Sequence, residues 1–260
     1  MIWSTLNFHS EALQQTVAVH LLTPTLKELK QSEAPLPVLY LLHGLHGNET
    51  DWMRYSALER YAQKYRLVVV MPGAGRSFYM DMLHGPAYGT YVSKELPELI
   101  ESYYPVSKDR EHRFIAGLSM GGYGAVRIAL ENPERYARCG TFSGALCLEE
   151  RTDGEWGVDG SGLKKEVLDI CGGEEGLLKA PCSLRALGDI ALREKKPLPE
   201  IYQECGTEDF LYRANQLFLK YFKGRIPIEY HERPGAHTWE FWDIAICNFL
   251  ETLPLEKAIV

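Results

Sequence analysis

Apolar positions along the chain follow two alternating rhythms. Short β-branched runs give way to longer stretches with apolar residues three and four apart, which predicts a sheet covered by helices. Strands are expected over residues 2–8 and 16–22, the second with Val17, Val19 and Leu21 on one face. A polar stretch over 27–33 and prolines at 35 and 37 lead into Val38–Leu42, where every residue is apolar. Such a run suits a central strand buried on both faces. Further strands are expected at 67–71, 113–116, 138–142, 201–205 and 228–231, with helices at 56–65, 90–104, 121–130, 210–222 and 239–253. Pro97 falls inside the second of these helices, so a kink or restart is expected there. Residues 146–199 carry glycines, acidic residues and few strand signals, and read as an insertion of loops and short helices over the sheet. No repeat, low-complexity segment or linker is visible, so residues 1–260 are expected to form one α/β domain.

Composition narrows the class of function. Hydrophobic residues at 45% and charged residues at 24% suit a soluble globular protein. The net charge of -7 argues against nucleic acid or an anionic membrane as a partner, since both call for basic patches. Residues 1–15 contain no Lys or Arg and no apolar block, so no secretory signal is expected, and residence in the cytoplasm is the expectation. Six cysteines are dispersed without a CxxC pair and read as thiols rather than a disulfide framework or a zinc site. A homo-oligomer is compatible with the chain, whose sequence does not give the oligomeric state.

Gly117-Leu118-Ser119-Met120-Gly121 has the form G-x-S-x-G. It follows an expected strand and opens an expected helix, and that context carries the chemistry. A serine on a tight strand-to-helix turn projects its hydroxyl, and small neighbours are needed to let the chain pass. The helix that follows aims its positive end at any negative charge developing there. Ser119 is therefore the expected nucleophile. A tetrahedral intermediate also needs backbone N–H donors fixed in advance. Met120, just after the serine, supplies one. Leu45, in the loop His43-Gly44-Leu45-His46-Gly47 after strand 38–42, is expected to supply the other, while His46 reads as a surface residue.

The base and its orienting acid should follow the serine in the order Asp or Glu, then His, each after a strand. His237 lies in the loop between strand 228–231 and the last helix, and is preferred over His231. Glu208 and Asp209 both follow strand 201–205; Asp209 is favoured, with a competing role as the cap of the next helix. Asp243, inside the final helix, is an unsuitable partner. Among aromatic residues near these loops (Trp52, Tyr79, Tyr88, Tyr123 and Trp239), Trp52 and Trp239 are the expected pocket residues because they adjoin the oxyanion loop and His237.

With these pieces assembled, the chain resembles the tributyrin esterase, or EstA-type acetyl esterase, group of the esterase D superfamily of α/β-hydrolases. The resemblance rests on residues 38–44 with Gly47 and Asp51-Trp52, on residues 114–124, on Phe142-Ser143-Gly144-Ala145, on residues 205–212, and on His237 with Trp239, Phe241 and Trp242. It implies an α/β-hydrolase fold, a mostly parallel central sheet flanked by helices, with the 146–199 insertion as a cap-like segment. It further implies cleavage of short-chain acyl esters, acetyl to butyryl, by a Ser119-His237-Asp209 triad with Leu45 and Met120 as oxyanion donors and no metal or organic cofactor. An acyltransferase on the same triad, an S-formylglutathione hydrolase-like thioesterase and a non-catalytic binding protein are the rival readings. S-formylglutathione hydrolases resemble this chain less, because their oxyanion loop differs from His43-Gly44-Leu45-His46-Gly47.

Overall fold

A computed structural model describes residues 1–25, 27–28 and 35–257, so most of the polar stretch expected at 27–33 lies outside the described residues. Eight strands form one sheet: β1 (Ile2–Ser10), β2 (Gln15–Thr23), β3 (Val38–Leu42), β4 (Val68–Pro72), β5 (Arg113–Leu118), β6 (Arg138–Phe142), β7 (Glu200–Gly206) and β8 (Ile228–Arg233). Their order is β1-β2-β4-β3-β5-β6-β7-β8. The first two strands form an antiparallel pair, and β2 joins β4 antiparallel. From β4 to β8 every pairing is parallel. The α/β fold with a mostly parallel sheet is as the sequence predicts.

Alternation of side chains across the pleat divides the core in two. From β3, Val38, Tyr40 and Leu42 enter the core on one face, whereas Leu39 and Leu41 enter the other. All five residues of β3 are buried, as an uninterrupted apolar run requires. One core is covered by α1 (Leu96–Tyr103) and α2 (Met120–Glu131) among others, the other by α6 (Trp239–Thr252). The first core is also covered by α3 (Gly160–Cys171), α4 (Leu184–Arg193) and α5 (Tyr212–Phe222).

Pro97 acts as expected. A π-helical turn, Tyr91–Glu95, runs directly into α1, and the Ser93 carbonyl one turn before Pro97 accepts Arg135 Nη1 at 2.7 Å where the proline has no N–H to offer. Residues 146–199 are more regular than their composition suggested. Leu163, Val167 and Ile170 bury one face of α3, and Leu184, Leu187, Gly188 and Ala191 bury one face of α4. Ser183 caps α4 by accepting the Ala186 N–H at 3.3 Å. Glycines at 160, 162, 172 and 173 bracket α3 and hide its helical spacing from a composition-based reading.

Parallel strands all end on the same side, and the connections reverse direction between β3 and β5. From β3 the chain steps outward to β4, then returns across to β5. A crevice opens at such a switch point, at the carboxyl ends of the strands. The loop 43–47 and Ser119 leave β3 and β5 on either side of it. No helix among the described residues is long and apolar enough to cross a membrane.

Candidate active site

Ser119 lies between β5 and α2 with φ 54° and ψ -118°, a strained left-handed conformation for a residue with a Cβ. Backbone bonds hold it there: its N–H donates to Phe142 O, and its carbonyl accepts from Ala145 N–H, each at 2.9 Å. The flanking glycines have a steric cause. A Cβ on Gly121 would stand 2.5 Å from Leu42 O and 2.6 Å from His43 O. One on Gly117 would stand 2.5 Å from the Gly121 carbonyl.

The three residues expected to act together are brought together. The Ser119 hydroxyl lies 3.0 Å from His237 Nε2. His237 Nδ1 faces both oxygens of Asp209, Oδ1 at 3.0 Å and Oδ2 at 2.9 Å. Asp209 follows β7, His237 follows β8, and the side chain of Asp209 is fully buried. Asp209 also accepts the Leu211 N–H at 2.8 Å just before α5. Its two expected roles, partner of His237 and organiser of the helix start, are thus compatible, and α5 begins at Tyr212 rather than 210. Phe210 packs tilted and Trp242 edge-on against the imidazole of His237, at 4.6 and 4.8 Å between centroids. The alternatives are elsewhere. Glu208 is exposed. His231 pairs with Glu229, and Asp243 accepts from Ala57 N–H and Tyr61 OH.

The loop after β3 is anchored from beneath. His43 is buried, and Ala74 N–H donates to its Nε2 at 2.9 Å while Nδ1–H donates to Gly44 O at 2.6 Å. Both ring nitrogens are committed in the neutral form, and burial lowers the His43 pKa to about 4. Tyr79 OH donates to His43 O at 2.9 Å. Neither the Leu45 nor the Met120 N–H has a hydrogen-bond acceptor among the described residues. Both residues line one cavity with Ser119 and His237. His46 is exposed, as expected, but it is also tied to the insertion: its Nε2 meets Asp159 Oδ2 at 2.8 Å, and Arg76 joins the same carboxylate at 3.3 Å.

The cavity encloses about 1060 Å³. Trp239 lines it, as expected; Trp52 does not. Trp52 is 1% exposed, donates its indole N–H to Leu42 O at 3.1 Å, and packs edge-on beneath Trp239. Adjacency in sequence to the oxyanion loop concealed that its helix turns the indole into the core. Tyr79 and Tyr123 are likewise buried, and Tyr88 is not on the wall. The aromatic wall is formed instead by Tyr55, Phe78, Trp156, Phe210, Trp239 and Trp242. Trp156 comes from the insertion, where nothing in the local pattern pointed to the cavity.

Comparison with known proteins agrees with this architecture. Residues 10–170 match the family model described as putative esterase. The chain is 30% identical over 263 residues to an acetyl esterase of Caldicellulosiruptor saccharolyticus, covering 95% of this chain and 96% of that protein. Among solved structures it is similar to FphF, a fluorophosphonate-binding serine hydrolase of Staphylococcus aureus in its substrate-bound form (TM-score 0.86, 31% identity, 97% of this chain and 98% of that one). It is nearly as similar to the S-formylglutathione hydrolase FrmB of the same organism (TM-score 0.84, 30% identity, 97% and 98%).

Proposed function

This chain belongs to the putative esterase family and is a carboxylic ester hydrolase, and from that premise we propose that it cleaves short-chain acyl esters, acetyl to butyryl, through Ser119, His237 and Asp209. The observation that carries the reading is the unbroken relay from the Ser119 hydroxyl through His237 to buried Asp209, at the wall of a cavity. His237 takes the Ser119 proton as Oγ attacks the ester carbonyl carbon, and the new oxyanion rests on the Leu45 and Met120 N–H groups. The carbon–oxygen bond to the alcohol then breaks, and the imidazolium returns its proton to the leaving oxygen. Water attacks the acyl-enzyme by the same route, releasing the acid and restoring Ser119. Asp209 holds Nδ1 protonated, which leaves the Nε2 lone pair facing the serine.

Ser119→Ala should lower kcat on 4-nitrophenyl acetate by several orders of magnitude with the fold intact, and should abolish labelling by a fluorophosphonate probe. Wild-type turnover in that variant would overturn the assignment. A series of 4-nitrophenyl esters from acetate to octanoate tests acyl length; a maximum at octanoate would remove the short-chain reading and spare the triad. Likeness to FrmB favours one second reading, a thioesterase acting on S-formylglutathione with the same residues. Comparing kcat/KM on that thioester with 4-nitrophenyl acetate separates the two.

A further inference from the structure

Arg151 stands apart from the other arginines around the insertion. It follows the 3-10 turn Leu148–Glu150 and lines the cavity that holds Ser119. Arg185 is paired with Glu150, and Arg213 with Glu155 at 2.9 Å. Arg151 forms no ion pair and no side-chain hydrogen bond among the described residues; its Nε is sealed and unpartnered. Glu155 favours the charged guanidinium through space but forms no hydrogen bond with it. Its Oε2 already receives Arg213 Nη1, the Thr152 N–H at 2.7 Å and the Thr152 hydroxyl at 2.8 Å, and its Oε1 is without a partner.

The guanidinium is nonetheless held in place. It lies over Trp156 at 5.0 Å from the ring centroid, and the indole N–H of Trp156 is also buried without an acceptor. Burial pushes the Arg151 pKa down to about 10, so it is charged at neutral pH. A half-buried cation with no hydrogen-bonded partner is costly, and an anion that completes it offsets that cost. Its Nη atoms, unpaired and not sealed, remain able to donate to one. Among the other charged groups on the wall, Asp159 is held by His46 and Arg76, Arg54 and Glu208 are exposed, and Asp51 is a half-buried carboxyl beside the oxyanion loop whose pKa burial raises. A volume of about 1060 Å³ also leaves room well beyond an acetyl or butyryl group.

Resting on the esterase reading above, we propose that Arg151 is a carboxylate-binding residue, and that the preferred substrates are esters carrying a carboxylate at a distance from the scissile bond. Two probe pairs distinguish the side of the ester that bears it. On the acyl side, the 4-nitrophenyl half-ester of adipic acid is compared with its methyl-capped diester. On the alcohol side, 4-acetoxybenzoate is compared with its methyl ester. Arg151→Met keeps an unbranched stem on Trp156 and removes the charge. In one of the two pairs, the ratio of kcat/KM for charged over capped probe should fall roughly 10- to 100-fold in the variant, chiefly through KM. Arg151→Lys should recover part of that ratio. An unchanged ratio in both pairs overturns the proposal, because a purely structural arginine lowers charged and capped probes alike. Should Arg151→Met fail to fold, inhibition of the wild-type protein decides: benzoate should compete more tightly than benzamide, and equal inhibition overturns the proposal. Turnover of the capped esters that depends on Ser119 leaves the esterase reading standing whatever Arg151 does.

Discussion

Asp209→Asn separates the chemical role of this carboxylate from its structural one. Oδ1 accepts the Leu211 N–H at 2.8 Å while also facing His237 Nδ1 at 3.0 Å. An asparagine that keeps the Leu211 bond turns its NH2 toward Nδ1. The imidazole then holds its proton on Nε2 and presents an N–H, rather than a lone pair, to Ser119 Oγ at 3.0 Å. Without an acceptor for the serine proton, kcat should fall by about 10⁴, or about 5 kcal/mol of barrier. Stability should change far less, by about 1 kcal/mol, since the helix-starting bond survives. Steady-state hydrolysis of 4-nitrophenyl acetate measures the first quantity and urea unfolding the second. A loss of activity below about tenfold, with unfolding unchanged, would refute the orienting role of Asp209.

Three further outcomes follow from particular contacts. His43, with a folded pKa of about 4 against an ordinary value of 6.5, stays neutral in the fold while the unfolded chain takes up a proton between those values. Its contribution is therefore full above pH 6.5 and is lost as pH falls toward 4; urea unfolding at pH 7 and 4.5 should show about 2–3 kcal/mol less pH dependence in His43→Gln than in the wild type. Gly121→Ala forces a methyl against Leu42 O and His43 O, and thermal melting should report a loss of about 3 kcal/mol. Leu45→Ala keeps the backbone donor and should leave kcat within about threefold, whereas Leu45→Pro removes it and should lower kcat by about 10²–10³.

Much of the candidate site was legible because each residue proposed to act there follows a strand end with a local signature. Gly117 and Gly121 frame Ser119 within five residues as a readable motif, although the carbonyls that crowd Gly121 belong to Leu42 and His43, and the order Ser119, Asp209, His237 follows from the connectivity. The wall of the cavity was not legible in this way. Whether Trp52 faces the crevice or the core depends on the rotation of one short helix, Asp51–Tyr55, which its neighbours in sequence do not determine. Arg151 and Trp156 reach the cavity only through the path of the insertion across the sheet. The helices of that insertion carry the correct spacing, at Leu163, Val167 and Ile170, between glycines that disguise it. His43 sits in a glycine turn with no local signal of burial; its ring is anchored by Ala74, thirty-one residues away.

The parallel sheet has a kinetic consequence. Ser119, Asp209 and His237 are supplied by β5, β7 and β8, and β6 must seat between β5 and β7 before the relay can close. Each of these pairings joins segments distant along the chain, which makes such sheets slow to assemble. β8 and α6, which bracket His237, leave the ribosome after Ser119. A nascent or partly refolded chain therefore carries a serine without a base. Return of esterase turnover after dilution from denaturant should lag behind the recovery of helical signal, so that activity times the closing of the sheet rather than its collapse.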